Sequence, residues 1–236
     1  MAEHMAELTE TLRGKFIVID GPDGCGKSSQ RDRLENACAG AGIETVSCRD
    51  PGGTAIGDRI RSVLLDHDLS AMDVNCETML FMASRAQLIA EVIQPALGEG
   101  KTVLCDRFVT STCAYQGAAG YDPKQVIELA RLAIGECWPH VTVVLDIDPA
   151  VGFERIGRKP HHAGKRRRHA AGEAVLIAGA APDAMEARPI AFHRRVRELF
   201  LEVDQYYPTT VVTVDGGGDV ETVHQRILEC LARVTF

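Results

Sequence analysis

Apolar residues gather along this chain in short, nearly unbroken runs, separated by longer stretches in which they return every three or four positions. The runs are Lys15 to Asp20, Glu44 to Cys48, Thr102 to Asp106, Val141 to Asp146 and Thr210 to Asp215. Their continuous apolar character predicts strands covered on both faces. Helical spacing predicts helices over Ser28 to Ala41, Ala55 to Leu65, Glu77 to Leu97, Pro123 to Ile134, Ala150 to Gly157, Ala184 to Tyr206 and Val220 to Val234, with Gly or Pro at many boundaries. Strand and helix in alternation predict an α/β fold, a five-stranded parallel sheet with helices on both faces. Ligands of such folds gather outside the carboxyl ends of the strands, where Asp20, Arg49, Asp106 and Asp215 fall.

The turn after the first strand adds chemistry to this architecture. Gly21-Pro22-Asp23-Gly24-Cys25-Gly26-Lys27-Ser28 is a G-x-x-x-x-G-K-[ST] sequence set between a strand and a helix. Gly21, Gly24 and Gly26 let backbone N–H groups approach phosphate oxygens, and the helix start, with Ser28 and Ser29, adds positive potential. Lys27 can reach the β- and γ-phosphates and the Ser28 hydroxyl can ligate Mg²⁺. A nucleoside triphosphate with Mg²⁺ is therefore the expected ligand, which leaves ATPases, GTPases, motor domains and small-molecule kinases open. A guanine-nucleotide switch does not fit: no N-K-x-D sequence occurs, and Asp106-Arg107-Phe108 stands in place of D-x-x-G.

With 236 residues and 45% hydrophobic composition, the chain can bury the core of one large α/β domain. A net charge of −7 argues against a nucleic-acid partner, so any phosphate site must be built locally. Eight cysteines, none in a C-x-x-C pair and several inside apolar patterns, read as reduced thiols of a cytoplasmic protein. Residues 1–14, polar and mixed in charge, are expected to form a flexible extension ahead of a domain over 15–236. They hold no apolar leader segment, and no later stretch is long and apolar enough to span a bilayer, so no membrane partner is expected.

Four motifs taken together resemble the thymidylate kinases. They are the Gly21–Ser28 loop; Arg49-Asp50-Pro51-Gly52-Gly53-Thr54; Leu80-Phe81-Met82-Ala83-Ser84-Arg85-Ala86-Gln87; and Asp106-Arg107-Phe108 running on to Ser111 and Ala114-Tyr115-Gln116-Gly117. Asp183-Ala184-Met185-Glu186 with Phe192-His193-Arg194-Arg195-Val196-Arg197 is a weaker fifth match. The resemblance covers the chain from about Phe16 to its end, apart from one insertion. It implies a P-loop kinase fold, transfer of the γ-phosphoryl group of Mg²⁺-ATP to dTMP on the route to dTTP, nucleotides as small-molecule partners, and a homodimer. A kinase for another pyrimidine monophosphate and a non-catalytic nucleotide-binding regulator stay open as alternatives.

The residues make chemical sense on their own. Asp106 can orient Mg²⁺-bound water, and Arg107 can fork onto an acceptor phosphate. Phe81 and Arg85, four apart on a helix, offer a ring and a donor fork from one face, which suits a pyrimidine. The resemblance further implies that Arg49 and Arg107 face the dTMP phosphate near Pro51, and that Asp23 lies near the sugar 3′-hydroxyl and the reacting phosphates. By the same resemblance Phe81 and Arg85 hold thymine, Gln116 meets the base edge and Tyr115 crowds C2′. Ser111 and Thr112 would add polar contacts, helix-start capping being their other role.

Residues 155–182 occupy the place of the kinase lid and are longer than the usual one. Arg158, Lys159, Lys165, Arg166, Arg167 and Arg168 precede a run of small apolar residues from Ala170 to Ala181. Gly24 stands where some thymidylate kinases carry a P-loop arginine, so the resemblance implies that the lid supplies that charge, with Arg155 and Arg158 as candidates. Ala184 replaces an arginine common in the segment after the lid. The turn Asp215-Gly216-Gly217-Gly218 would lie against the donor adenine. His161, His162 and His169 have no carboxylate or cysteine partners at ligand spacing, which leaves Mg²⁺ as the only metal expected.

Overall fold

The five expected strands form one parallel sheet in the order β2-β3-β1-β4-β5. These are β1 (Phe16–Asp20), β2 (Thr45–Arg49), β3 (Thr102–Asp106), β4 (Val141–Asp146) and β5 (Thr210–Asp215). The computed structural model describes residues 11–66, 72–158 and 188–236. Every residue of β1 is buried, because alternate side chains enter separate layers: Phe16 and Val18 one, Ile17 and Ile19 the other. In the first layer they meet Leu88, Ile93, Phe108 and Val126, and in the second Leu34, Leu104, Leu145 and Ile227.

The helices are α1 (Lys27–Gly40), α2 (Ala55–Leu65), α3 (Val74–Leu88), α4 (Gln94–Gly98), α5 (Val109–Ala118), α6 (Pro123–Ile134), α7 (Pro149–Arg155), α8 (Ile190–Glu202) and α9 (Val220–Leu231). Several ends differ by a residue or a few from expectation, and three differences have physical causes. The helix expected from Glu77 begins at Val74, because Asp73 caps it by accepting from the backbone N–H of Asn75. It passes through a π-helical turn, Ile89–Ile93, just before Pro95, whose ring and missing N–H do not fit an α-helical interior. The helix expected from Ala184 is seen from Ile190, where Pro189 holds extended backbone, and it closes with a 3₁₀ turn, Val203–Gln205. Residues 184–187 lie outside the described residues.

Helix α5 is not among the helices that apolar spacing predicts, although helix-start capping at Ser111 and Thr112 is one reading of that segment. Its Val-Thr-Ser-Thr-Cys start has poor helical propensity, and tertiary burial compensates: residues 109–116 are all buried. Near the N-terminus, Leu12 belongs to the segment expected to be a flexible extension, yet it is fully buried, with its carbonyl accepting from Thr102 Oγ1 at 2.8 Å. Residues 1–10 lie outside the described residues. All eight cysteines are free thiols, five of them buried. Among the described residues no helix is long and apolar enough to cross a membrane.

The loop after β1 rests backbone to backbone on α7. A Cβ at Gly24, whose φ is +75°, would stand 2.0 Å from the Gly152 carbonyl oxygen. One at Gly152 would stand 2.3 Å from the Asp23 carbonyl oxygen. Neither obstacle is a side chain that could rotate away. Gly152→Ala is thus expected to destabilise the fold by about 1–3 kcal/mol through overpacking. Thermal unfolding reads this change, and an unchanged melting midpoint would contradict the contact.

Candidate active site

Two clefts meet at the loop between β1 and α1. The first is lined by residues 24–30 together with Arg155, Ile156, Gly218, Asp219, Val220 and Val223. Helix α1 starts without a side-chain cap: Gly26 occupies the cap position at φ 97°, and the first turn has no acidic residue. Its leading N–H groups and their dipole are therefore available to an anion. Lys27 folds over the loop, its Nζ donating to the carbonyl oxygens of Gly21 at 3.0 Å and Pro22 at 2.8 Å. Ser28 Oγ donates to Asp106 Oδ2 at 2.7 Å, which pairs two hard oxygens from different elements, the donor type that Mg²⁺ takes. Ser29 is exposed beside them. Arg155 donates to the carbonyls of Gly216 at 3.0 Å and Gly218 at 3.1 Å, and so braces the turn after β5.

The second pocket is lined by Asp23, Asp50, Pro51, Arg61, Leu65, Phe81, Arg85, Arg107, Ser111, Thr112, Tyr115 and Gln116. Arg85 is 1% exposed and lies against Asp50, with Nε 2.6 Å and a terminal nitrogen 2.5 Å from Asp50 Oδ2. The same nitrogen donates to Thr112 Oγ1 at 3.1 Å. Burial pushes the Asp50 carboxyl up, and Arg85 works against that. Gln116 Nε2 donates to Glu77 Oε1 at 3.0 Å, and Arg188 donates to both Glu77 oxygens at 3.1 and 3.0 Å.

Arg107 stands between the clefts. It has φ 68°, the one non-glycine residue with positive φ among those described. Its guanidinium donates to the Gly21 carbonyl at 3.2 Å, Ser111 Oγ at 3.1 Å, Asp23 Oδ1 at 2.5 Å and the Tyr115 hydroxyl at 3.4 Å. Burial pushes the Asp23 carboxyl up, but Arg107, Lys27 and His193 outweigh it and hold that group below the ordinary carboxylate range. His193 Nδ1 lies 3.8 Å from Asp23 Oδ2. Burial pulls the His193 imidazole below its usual range although Asp23 opposes this. Asp20, fully buried, accepts from Thr110 Oγ1, Ser111 Oγ and the Gly21 N–H, which joins the end of β1 to the start of α5.

Most residues singled out in the sequence come together here. Gly24, Gly26, Lys27, Ser28, Ser29 and Arg155 line the first cleft, while Asp23, Pro51, Phe81, Arg85, Arg107, Ser111, Thr112, Tyr115 and Gln116 line the second. Gly21 contributes its carbonyl, and Asp106 reaches the first cleft through Ser28. Ser111 and Thr112 lie within α5 and bond Asp20 and Arg85, so they are not helix-start caps. Arg49 does not line the pocket; more than half exposed, it pairs with Asp58 at 3.4 Å. Arg158 packs its guanidinium 4.4 Å from the centre of the Phe153 ring. Lys159, Lys165 to Arg168 and His161, His162 and His169 lie outside the described residues.

Sequence reasoning gave no role to Asp50, Arg61, Glu77, Arg188 or His193. One signal was present: Glu77, Phe81 and Arg85 are spaced by four and so share one face of α3.

A thymidylate kinase family model matches residues 19–227. The chain is 39% identical over 216 residues to the thymidylate kinase of Pelobacter propionicus, covering 91% of this chain and 92% of that one. It is 39% identical over 222 residues to that of Protochlamydia amoebophila, covering 93% of each. The thymidylate kinase of Deinococcus radiodurans is 38% identical over 205 residues, 86% of this chain and 89% of that one.

Asp50→Ala would strand the buried Arg85 charge and is expected to cost about 3–5 kcal/mol in denaturant unfolding. Arg195→Ala, which removes an exposed pair with Glu198, should cost under about 1 kcal/mol. Equal costs would contradict the weight given to burial.

Proposed function

This chain belongs to the thymidylate kinase family, and on that premise we propose how its two clefts divide the ATP-dependent phosphorylation of dTMP to dTDP. The first cleft takes ATP. Its phosphates meet the N–H groups at the start of α1, and Lys27 exchanges the Gly21 and Pro22 carbonyls for phosphate oxygens. Ser28 and Asp106 would hold Mg²⁺, which would supply counter-charge to the donor phosphates. The turn that Arg155 braces flanks the adenine.

The second pocket takes dTMP. Phe81 packs on the base, Arg85 donates to a carbonyl of the ring, Gln116 meets the base edge and Tyr115 lies against the sugar. Asp23 sits near the 3′-hydroxyl and the reacting phosphates. Arg107 forks onto the acceptor phosphate, and Arg61, also in the pocket wall, adds positive charge there. The exposed Arg49–Asp58 pair costs little to break, so Arg49 can turn toward the same phosphate. An oxygen of the neutralised acceptor then attacks the γ-phosphorus, and the bond from that phosphorus to the bridging oxygen of ADP breaks. With Arg155 engaged on the 216–218 carbonyls, the lid charge facing the transferring group falls to Arg158, whose field reaches His193 beside Asp23.

The observation that carries this reading is the shared wall: Asp23 lines the second pocket, Gly24 the first, and Arg107 holds Asp23 at 2.5 Å. Free thiols support a reducing compartment such as the cytoplasm. Exposed Ile56 and Val63 on α2 and Met79 on the adjoining α3 support a homodimer through that face.

Incubation with Mg²⁺-ATP and a panel of nucleoside monophosphates, with diphosphate products separated by chromatography, should show turnover led by dTMP. Lys27→Ala is expected to lower kcat about a hundredfold or more. Phe81→Ala should raise the KM for dTMP about tenfold with a smaller change in kcat. Near-wild-type kinetics in both variants would overturn the site assignment.

A further inference from the structure

Gln116 is fully buried in the wall of the dTMP pocket, and what it offers a base depends on which end of its amide faces the occupant. Glu77 decides this. Gln116 Nε2 donates to Glu77 Oε1 at 3.0 Å, whereas the reversed amide would set oxygen against carboxylate. Gln116 Oε1 is thereby left buried without a protein partner, an acceptor for whatever fills the pocket.

Glu77 is itself fixed. It is 3% exposed, and Arg188 donates to both of its oxygens at 3.1 and 3.0 Å. Arg188 in turn lies 4.6 Å from the centre of the Phe192 ring. Arg85, in the same pocket, is donor only, and Asp50 and Thr112 hold its orientation. The pocket therefore presents fixed donors together with a fixed acceptor.

A 2,4-dioxopyrimidine carries an O4 acceptor beside an N3–H donor, and a 4-aminopyrimidine carries the reverse pair. The first complements this wall. The second would set donor against donor and acceptor against acceptor. We propose that Glu77 is a specificity-positioning residue: by fixing the amide of Gln116, and held in place by Arg188, it makes the pocket reject 4-aminopyrimidine nucleotides. The proposal rests on the reading of this pocket as the thymidylate site.

The test compares kcat/KM for dTMP with that for 5-methyl-dCMP, which matches the base except at the C4–N3 edge. Wild type, Glu77→Gln and Glu77→Asp are measured with Mg²⁺-ATP. The glutamine side chain would accept either orientation of Gln116, and aspartate keeps a charge opposite Arg188 while retreating from Gln116. Because both rates come from one preparation, their ratio is independent of the folded fraction. The wild type should favour dTMP, and the ratio should fall about tenfold or more in both variants, since a buried polar mismatch is what enforces it. In Gln116→Leu the ratio should already be low, and adding Glu77→Gln should not lower it further.

A general structural loss would reduce both substrates in parallel and leave the ratio unchanged. A wild-type preference that survives both Glu77 substitutions overturns the role of Glu77 and leaves the assigned function standing. A wild type that does not prefer dTMP overturns the reading of the pocket, and the proposal with it.

Discussion

One guanidinium, that of Arg107, ties the two clefts together. It reaches the carbonyl of Gly21 and the carboxylate of Asp23 on the phosphate loop, and Ser111 and Tyr115 on α5. To do so its backbone takes φ 68°, a left-handed conformation that costs roughly 1–3 kcal/mol at a non-glycine residue and persists where surrounding contacts dictate it. Here those contacts are ionic. Asp20 is fully buried with Arg107 3.7 Å away, and the same cation is foremost among the groups that hold the Asp23 carboxyl below its ordinary range. Removing Arg107 would leave two carboxylates short of their counter-charge at the junction of β1, β3 and α5.

The sheet order puts this junction where it can serve two ligands. Chain connections leave β1 toward β2 and β3 on one side and later toward β4 and β5 on the other. The crevice at the carboxyl end of β1 is thus the place where the winding reverses. The phosphate loop fills it, pressed against α7 at Gly24 and Gly152, and the loop's two sides face the two clefts. Helix α8 is locked to the neighbouring strand by Arg197, whose Nε and a terminal nitrogen bond the Asp146 oxygens at 2.6 and 2.8 Å. That lock sets His193 beside Asp23 and supports Arg188 beside Glu77.

The strands were readable in the sequence because a parallel strand covered on both faces is a continuous apolar run, and three of the five have the expected ends. The phosphate loop was readable because its geometry restricts residue types one by one. Helix α5 was hidden, since its helicity comes from burial of Val109 to Gln116 and not from propensity. The inner polar framework was hidden for a related reason. Asp50, Glu77 and Arg188 act through partners 35, 39 and 111 positions away, and no local pattern announces such pairs. Arg49 differs again: the resemblance sets it at the acceptor phosphate, and in the structure its exposed side chain rests on Asp58.

The central claim is that a phosphoryl group passes straight from one nucleotide to the other across the wall that Asp23, Gly24 and Arg107 form. The direct measurement uses ATP made chiral at the γ-phosphorus with oxygen isotopes, followed by configurational analysis of the terminal phosphorus in dTDP. Inversion is the expected result, because a single in-line displacement between adjoining clefts turns the centre over once. Retention would mean two displacements through a phosphorylated protein group, and would contradict the account.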